Sequence, residues 1–146
     1  MTKGVKVTVT ERDGRQYAST GSAWEPVIGY SRAVRVGYTI HVTGTVGVEQ
    51  DGHFATTMKE QAKRALEIII AAIEALGGTV ADVVRTRIYV TDISKWEEVG
   101  QAHGEVFAHV RPATTMVQVA RLIDDQALVE IEADAILSPE ELDTIM

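Results

Sequence analysis

A chain of 146 residues, 45% of them hydrophobic, is the length of one compact domain and can bury a single core without metal or disulfide staples. It has no cysteine, which excludes disulfides, thiolate nucleophiles and thiolate metal sites. A net charge of −7, with 14 Lys and Arg scattered among 21 acidic residues, argues against nucleic acid as a partner, because phosphate recognition needs clustered basic groups.

Val5, Val7 and Val9 alternate with Lys6, Thr8 and Thr10, the pattern of a half-buried strand. Before it, the first residues lack the apolar core of a signal peptide. Asp13-Gly14 is a hairpin turn signal, with Gln16 to Ala18 as the returning strand. Gly21 to Gly29 reads as a loop. Ser31 to Thr43 reads as two strands turning near Gly37, and Gly47 to His53 is polar and turn-rich. Thr57 and Glu60 then form a capping-box pattern. Ala62, Leu66, Ile69, Ile73 and Leu76 recur at helical spacing up to a Gly77-Gly78 stop. The longest apolar run in this helix, Ile68 to Ile73, is far short of the roughly 20 residues that span a bilayer. The expectation is a cytoplasmic protein with no membrane contact.

Val83 to Thr91 is a β-branched strand. Ser94 and Glu97 repeat the capping box before a second helix, which runs to about His109 with an apolar stripe of Trp96, Val99, His103, Val106 and Val110. Thr115 to Leu122 and Ala127 to Leu137 are the last two strands, around a turn at Asp124-Asp125. Ser138-Pro139-Glu140-Glu141 looks like the start of a short C-terminal helix. No linker or repeat interrupts the chain, so 1–146 is read as one domain.

This order predicts an α+β fold, a mixed sheet of about six strands with two helices packed on one face. The other face must meet water or another subunit. Val117, Val119, Val129 and Ile131 leave few polar positions for water, so assembly through that face is expected, with threefold closure a common solution.

The stretches IGYSRAV, IHVTGTVGV, VVRTRIYVTDI, RPATTMVQVARL and LVEIEADAI resemble the RidA/YjgF family, the reactive-intermediate deaminases also described as endoribonuclease L-PSP-like proteins. The similarity runs from about residue 29 to residue 136. It implies a chorismate-mutase-like fold and a homotrimer with a central β-barrel and clefts between subunits. In such members the clefts bind small imino or keto acids, and 2-imino acids and their enamines are hydrolysed without metal or cofactor.

Carried over residue by residue, the resemblance makes Tyr30 the cleft tyrosine and Thr43-Gly44 its floor. Trp96 becomes an aromatic wall, and Glu130 the acidic residue that handles water. By alternation alone, Glu130, Glu132 and Asp134 equally form one solvated strand face, and Tyr30 and Trp96 equally serve as core or interface aromatics. The chain also departs from the pattern. Thr114 stands where deaminating members place a carboxylate-binding arginine, Met116 replaces a frequent cysteine, and Gly100 replaces a helix asparagine. A hydrogen bond to a charged partner is worth about 1.5–3 kcal/mol net. Its loss should therefore weaken binding of a simple imino acid by roughly ten- to a hundredfold.

Arg32, two residues from Tyr30, is the best-placed replacement cation by sequence, since both side chains share a face of an extended strand. Arg85 and Arg87 share a face with Tyr89. A surface or interface ion pair is the alternative role for all three. His103 lies on one helix face with Trp96 and Gly100; the absent side chain at Gly100 would enlarge a cavity beside it. A cleft histidine facing Glu130 could share proton transfer, and a hydrogen-bonded structural histidine is the other reading. His41, His53, His103 and His109 show no metal-ligand spacing. The functional expectation is hydrolysis of a small imine, enamine or related carbonyl compound. The alternative is a non-catalytic metabolite-binding trimer, and the ribonuclease implied by one family name fits an acidic chain poorly.

Overall fold

A computed structural model describes residues 4–138. The helix expected from Ser138 onward lies outside them apart from its first residue. The chain opens with strands β1 (Thr8–Arg12) and β2 (Arg15–Ser19), joined by a two-residue turn in which Asp13 (φ 55°) and Gly14 (φ 77°) are both left-handed. That geometry suits the twist of a tight hairpin, and Asp-Gly adopts it at low cost. The first strand starts at Thr8 rather than Val5; Val7, before it, packs against the core.

A single π-helical turn at Glu25–Gly29 replaces the expected loop, closed by the Tyr30 amide donating to the Glu25 carbonyl at 3.0 Å. Strands β3 (Ala33–Val36) and β4 (Thr39–Val46) follow. Helix α1 (Met58–Ala75) begins as the sequence predicts, with the Thr57 hydroxyl accepting the Glu60 amide at 3.2 Å. It ends on Gly77 (φ 91°), whose amide reaches the Glu74 carbonyl while that of Gly78 reaches Ile73.

Strand β5 (Val83–Val90) leads to helix α2 (Trp96–Phe107). Its predicted cap is not formed. The Asp92 carboxylate accepts both the amide (3.0 Å) and the hydroxyl (2.6 Å) of Ser94, so a 3-10 turn over Ile93–Lys95 precedes the helix. Ser94 lies inside that turn, so the residue at the cap of α2 is Lys95. Strand β6 (Ala113–Gln118) starts earlier and ends sooner than expected, and β7 (Val129–Ile136) closes the described chain.

The sheet has seven strands rather than about six, in the order β1-β2-β3-β4-β7-β5-β6. All neighbours are antiparallel except β5 and β6, which α2 connects in parallel. The core lies between one sheet face and the helices, filled by Ile40, Ile88, Val129 and Ile131 from the strands and Leu66, Ile69, Ile73, Val99 and Phe107 from the helices.

One expectation fails here. Val129 and Ile131 point into this core, so the uncovered face of the middle strands is not apolar. It carries Glu130, Glu132, Asp134, Arg87, Tyr89 and His41, knit together by Arg87 to Glu132 and Asp134 (both 3.2 Å) and His41 to Asp134 (2.7 Å). Period-two alternation sends every second residue of β7 inward, and the carboxylates take the other side. Among the described residues, no helix is long and apolar enough to cross a membrane.

Candidate active site

A cavity of about 730 Å³ opens beside the second half of β4 and the start of β7, and its polar end is built by an irregularity in β4. Pairing with β7 runs in register through Val42, slips, and resumes at Thr45. The slip turns Thr43 and Gly44 out of the ladder. Thr43 is held by its hydroxyl on the Ser31 carbonyl (2.6 Å), and the freed Gly44 carbonyl accepts the Arg32 guanidinium at 3.0 Å. Gly44 is needed for space: a Cβ there would come within 3.0 Å of the Glu130 Cδ, so any side chain would displace the carboxylate.

Arg32 is almost fully buried, at 6% exposure. Its Nη1 donates to the Gly44 carbonyl and the Thr45 hydroxyl, both at 3.0 Å, and its Nη2 to the Tyr30 hydroxyl at 3.1 Å. The guanidinium also lies 5.3 Å from the centre of the Tyr30 ring. Every acceptor is neutral, and Nε has no partner. Glu130 stands opposite Val46 and Tyr89 in the ladders. Burial raises its pKa above the ordinary carboxylate value; the charge of Glu132 adds to this and that of Arg32 opposes it. The site therefore pairs a proton acceptor of raised affinity with a buried cation that makes no ion pair.

Of the residues singled out from sequence, Tyr30, Arg32, Thr43, Gly44 and Glu130 meet in this cavity. Trp96, Gly100, His103, Thr114 and Met116 do not; they belong to the edge formed by α2 and β6. His103 does not face Glu130 within one protomer. Its Nε2 bonds the Thr86 hydroxyl (2.9 Å), which also bonds the Thr114 hydroxyl (2.8 Å), and Thr86 is fully buried on the helix side of the sheet. Burial lowers the pKa of this imidazole, and the ring packs 4.6 Å from Phe107. Gly100 opens no space beside His103, because a Cβ there would make ordinary contact with the Trp96 ring at 3.6 Å. Trp96 itself is 53% exposed.

Sequence reasoning missed the apolar end of the cavity, lined by Trp24, Ile28, Phe54, Ile68 and Ile123. These sit mostly in irregular segments, where no periodicity marks a face. The usable signal was a cluster of large apolar side chains, Trp24, Val27 and Ile28, in a loop that should have been polar. Also missed was Gln61, buried in α1, whose amide donates to the carbonyls of Ala55 (2.8 Å) and Gln126 (3.0 Å) and accepts the Leu128 amide (2.8 Å). Among the described residues, no three His, Asp or Glu side chains converge as a metal site.

The fold and the chain have clear relatives. The family model described as Endoribonuclease L-PSP matches residues 20–137. A crystal structure from Mycobacterium tuberculosis, of Rv2704, a member of the YjgF/YER057c/UK114 family, superposes with a TM-score of 0.79 at 49% identity, covering 84% of this chain and 99% of that one. The RutC family protein UK114 of Drosophila melanogaster is 34% identical over 138 residues, 90% of this chain and 96% of its own. A protein of Dermatophagoides farinae named 2-iminobutanoate/2-iminopropanoate deaminase is 30% identical over 125 residues, 84% of this chain and 97% of its own. Match, identity and superposition agree with the α+β architecture above: the chain belongs to the RidA/YjgF family of endoribonuclease L-PSP-like proteins.

Proposed function

We propose that this protein hydrolyses a small imine or enamine to the corresponding carbonyl compound and ammonia, at the cavity around Glu130. The observation that carries the reading is Glu130 itself, a carboxylate whose pKa burial raises and which faces the cavity across its floor at Gly44, as a general base requires.

 The carboxylate borders the cavity and accepts no hydrogen bond from the described residues, so it is free to take a proton from water.

Water held on Glu130 adds to the imine carbon as the carboxylate takes its proton. That proton passes to nitrogen to give a carbinolamine; its hydroxyl then gives up a second proton, carried by Glu130 to the same nitrogen, as the C–N bond breaks, the C=O bond forms and ammonia leaves. Tyr30 and the Thr43-Gly44 backbone orient the polar end of the substrate. Arg32 takes the carboxylate that Thr114 is too short and too neutral to hold, a role supported by its unpartnered Nε.

The protein acts as a homotrimer with the site completed between subunits. What supports this is the division of the family-matched residues into two groups on one protomer, the Glu130 cavity and the α2–β6 edge; the edge of one copy then closes the cavity of the next. The reading is tested by supplying the purified protein with imino acids generated in place by an amino-acid oxidase. The expected outcome is ketoacid release faster than in buffer, and release at the buffer rate across the panel would overturn it.

A second reading, a non-catalytic metabolite-binding trimer, is favoured by one observation: Thr114 is turned back onto Thr86 and Pro112 rather than left free for a ligand. Under that reading ligands raise the melting temperature while no ketoacid forms.

A further inference from the structure

Two features of the cavity go beyond the reaction and bear on what it accepts. The first is Arg32. Among the described residues it makes no ion pair, its three hydrogen bonds end on a carbonyl and two hydroxyls, and its buried Nε has no partner. Glu130 acts on this charge electrostatically but closes no ion pair with it, and a ligand anion is what would give the buried guanidinium a direct partner. The second is the opposite wall. Trp24 (44% exposed), Ile28 (59%) and Ile123 (53%) come from two separate loops yet line one cavity, with Phe54 and Ile68 behind them. The volume, about 730 Å³, is that of a pocket for a sizeable organic ligand. A three-carbon imino acid bound at Arg32 would leave this wall in water.

We propose that the cavity selects 2-imino acids, and the 2-oxo acids they yield, that carry a bulky branched or aromatic side chain, with the carboxylate on Arg32 and the side chain on the wall of Trp24, Ile28 and Ile123. The inference rests on the imine-hydrolase reading for its chemistry but not for its choice of ligand. Each added methylene buried in such a pocket is worth about tenfold or more in discrimination.

The purified full-length protein is given imines produced by an amino-acid oxidase from leucine, phenylalanine and alanine. In parallel, its melting temperature is followed with 4-methyl-2-oxopentanoate, with pyruvate, and with 4-methylpentan-2-one, which keeps the branched tail but lacks the carboxylate. The expected result is kcat/KM at least about tenfold higher for the leucine- or phenylalanine-derived imine than for the alanine-derived one. Of the three additives, only 4-methyl-2-oxopentanoate stabilises the protein, and Arg32→Gln abolishes that shift while the variant keeps its circular dichroism spectrum.

Hydrolysis that is equal for all three imines, or best for the alanine-derived one, overturns the selectivity and leaves the catalytic reading standing. No hydrolysis together with selective stabilisation by the branched 2-oxo acid overturns the catalytic reading and supports the ligand class. Neither hydrolysis nor selective stabilisation overturns both.

Discussion

Glu130 is the residue on which the proposed chemistry turns, and its protonation makes two effects separable. Burial raises its pKa in the folded protein, so between the unfolded and folded values the native state holds the extra proton. Stability therefore falls as pH rises through that window, and above it the ionised carboxylate is a standing cost. A base must be ionised to act, so turnover rises with pH through the same window. Glu130→Gln is expected to lower kcat by about 10²–10⁴-fold while raising the melting temperature at neutral pH, read by the coupled assay and by thermal denaturation. A drop in both would assign Glu130 a structural role. By alternation this residue is no different from Glu132 or Asp134. Family resemblance singled it out, and the reason it differs lies in the β4 irregularity: only Glu130 faces Gly44. Arg32 was legible as a cation sharing a face with Tyr30. Its lack of an ion pair was not, because a linear pattern does not show which carboxylates fold within bonding reach.

At the scale of elements, two glycines show opposite needs for their missing side chain. Gly47, just past β4, passes so close to α1 that a Cβ would lie 2.7 Å from the Gln61 carbonyl carbon, a main-chain atom that cannot move without shifting the helix. Gly100, inside α2, has room for a Cβ against the Trp96 ring at 3.6 Å. Gly47→Ala is expected to destabilise by about 1–3 kcal/mol or more, as overpacking does. Gly100→Ala is expected to stabilise by about 1 kcal/mol, the helix-propensity difference. Denaturant titration of the two variants checks both signs.

The helices and the hairpin were readable because their signals are local: Thr57 with Glu60, Gly77-Gly78 and Asp13-Gly14 each act within a few residues. The entry to α2 was misread because Asp92, two residues upstream, caps a 3-10 turn that takes in Ser94 and delays the helix to Trp96. The limits of β6 were misread because that strand follows β5, its parallel partner, rather than its own pattern.

For the molecule as a whole, the route from sequence to assembly has to change. An apolar uncovered face was expected to drive association, yet the middle of that face is charged and internally paired, so any interface there rests on electrostatic and hydrogen-bond complementarity. The network is half-exposed on one protomer, with Arg87 at 40%, and an interface over it would bury these charges together. Arg87→Glu, which sets a third carboxylate beside Glu132 and Asp134, is expected to convert a trimer in analytical ultracentrifugation into monomers. A trimer unchanged by that substitution would move the interface off this face.

The side-chain amide of Gln61 has a reach larger than its size. Three main-chain groups from two distant segments end on it, one segment following Phe54 and the other running past Ile123 into the strand that bears Glu130. Reshaping either side of the cavity therefore disturbs the other through a single shared anchor, so adaptation to a new ligand is easiest at the Trp24–Gly29 turn, which Gln61 does not hold.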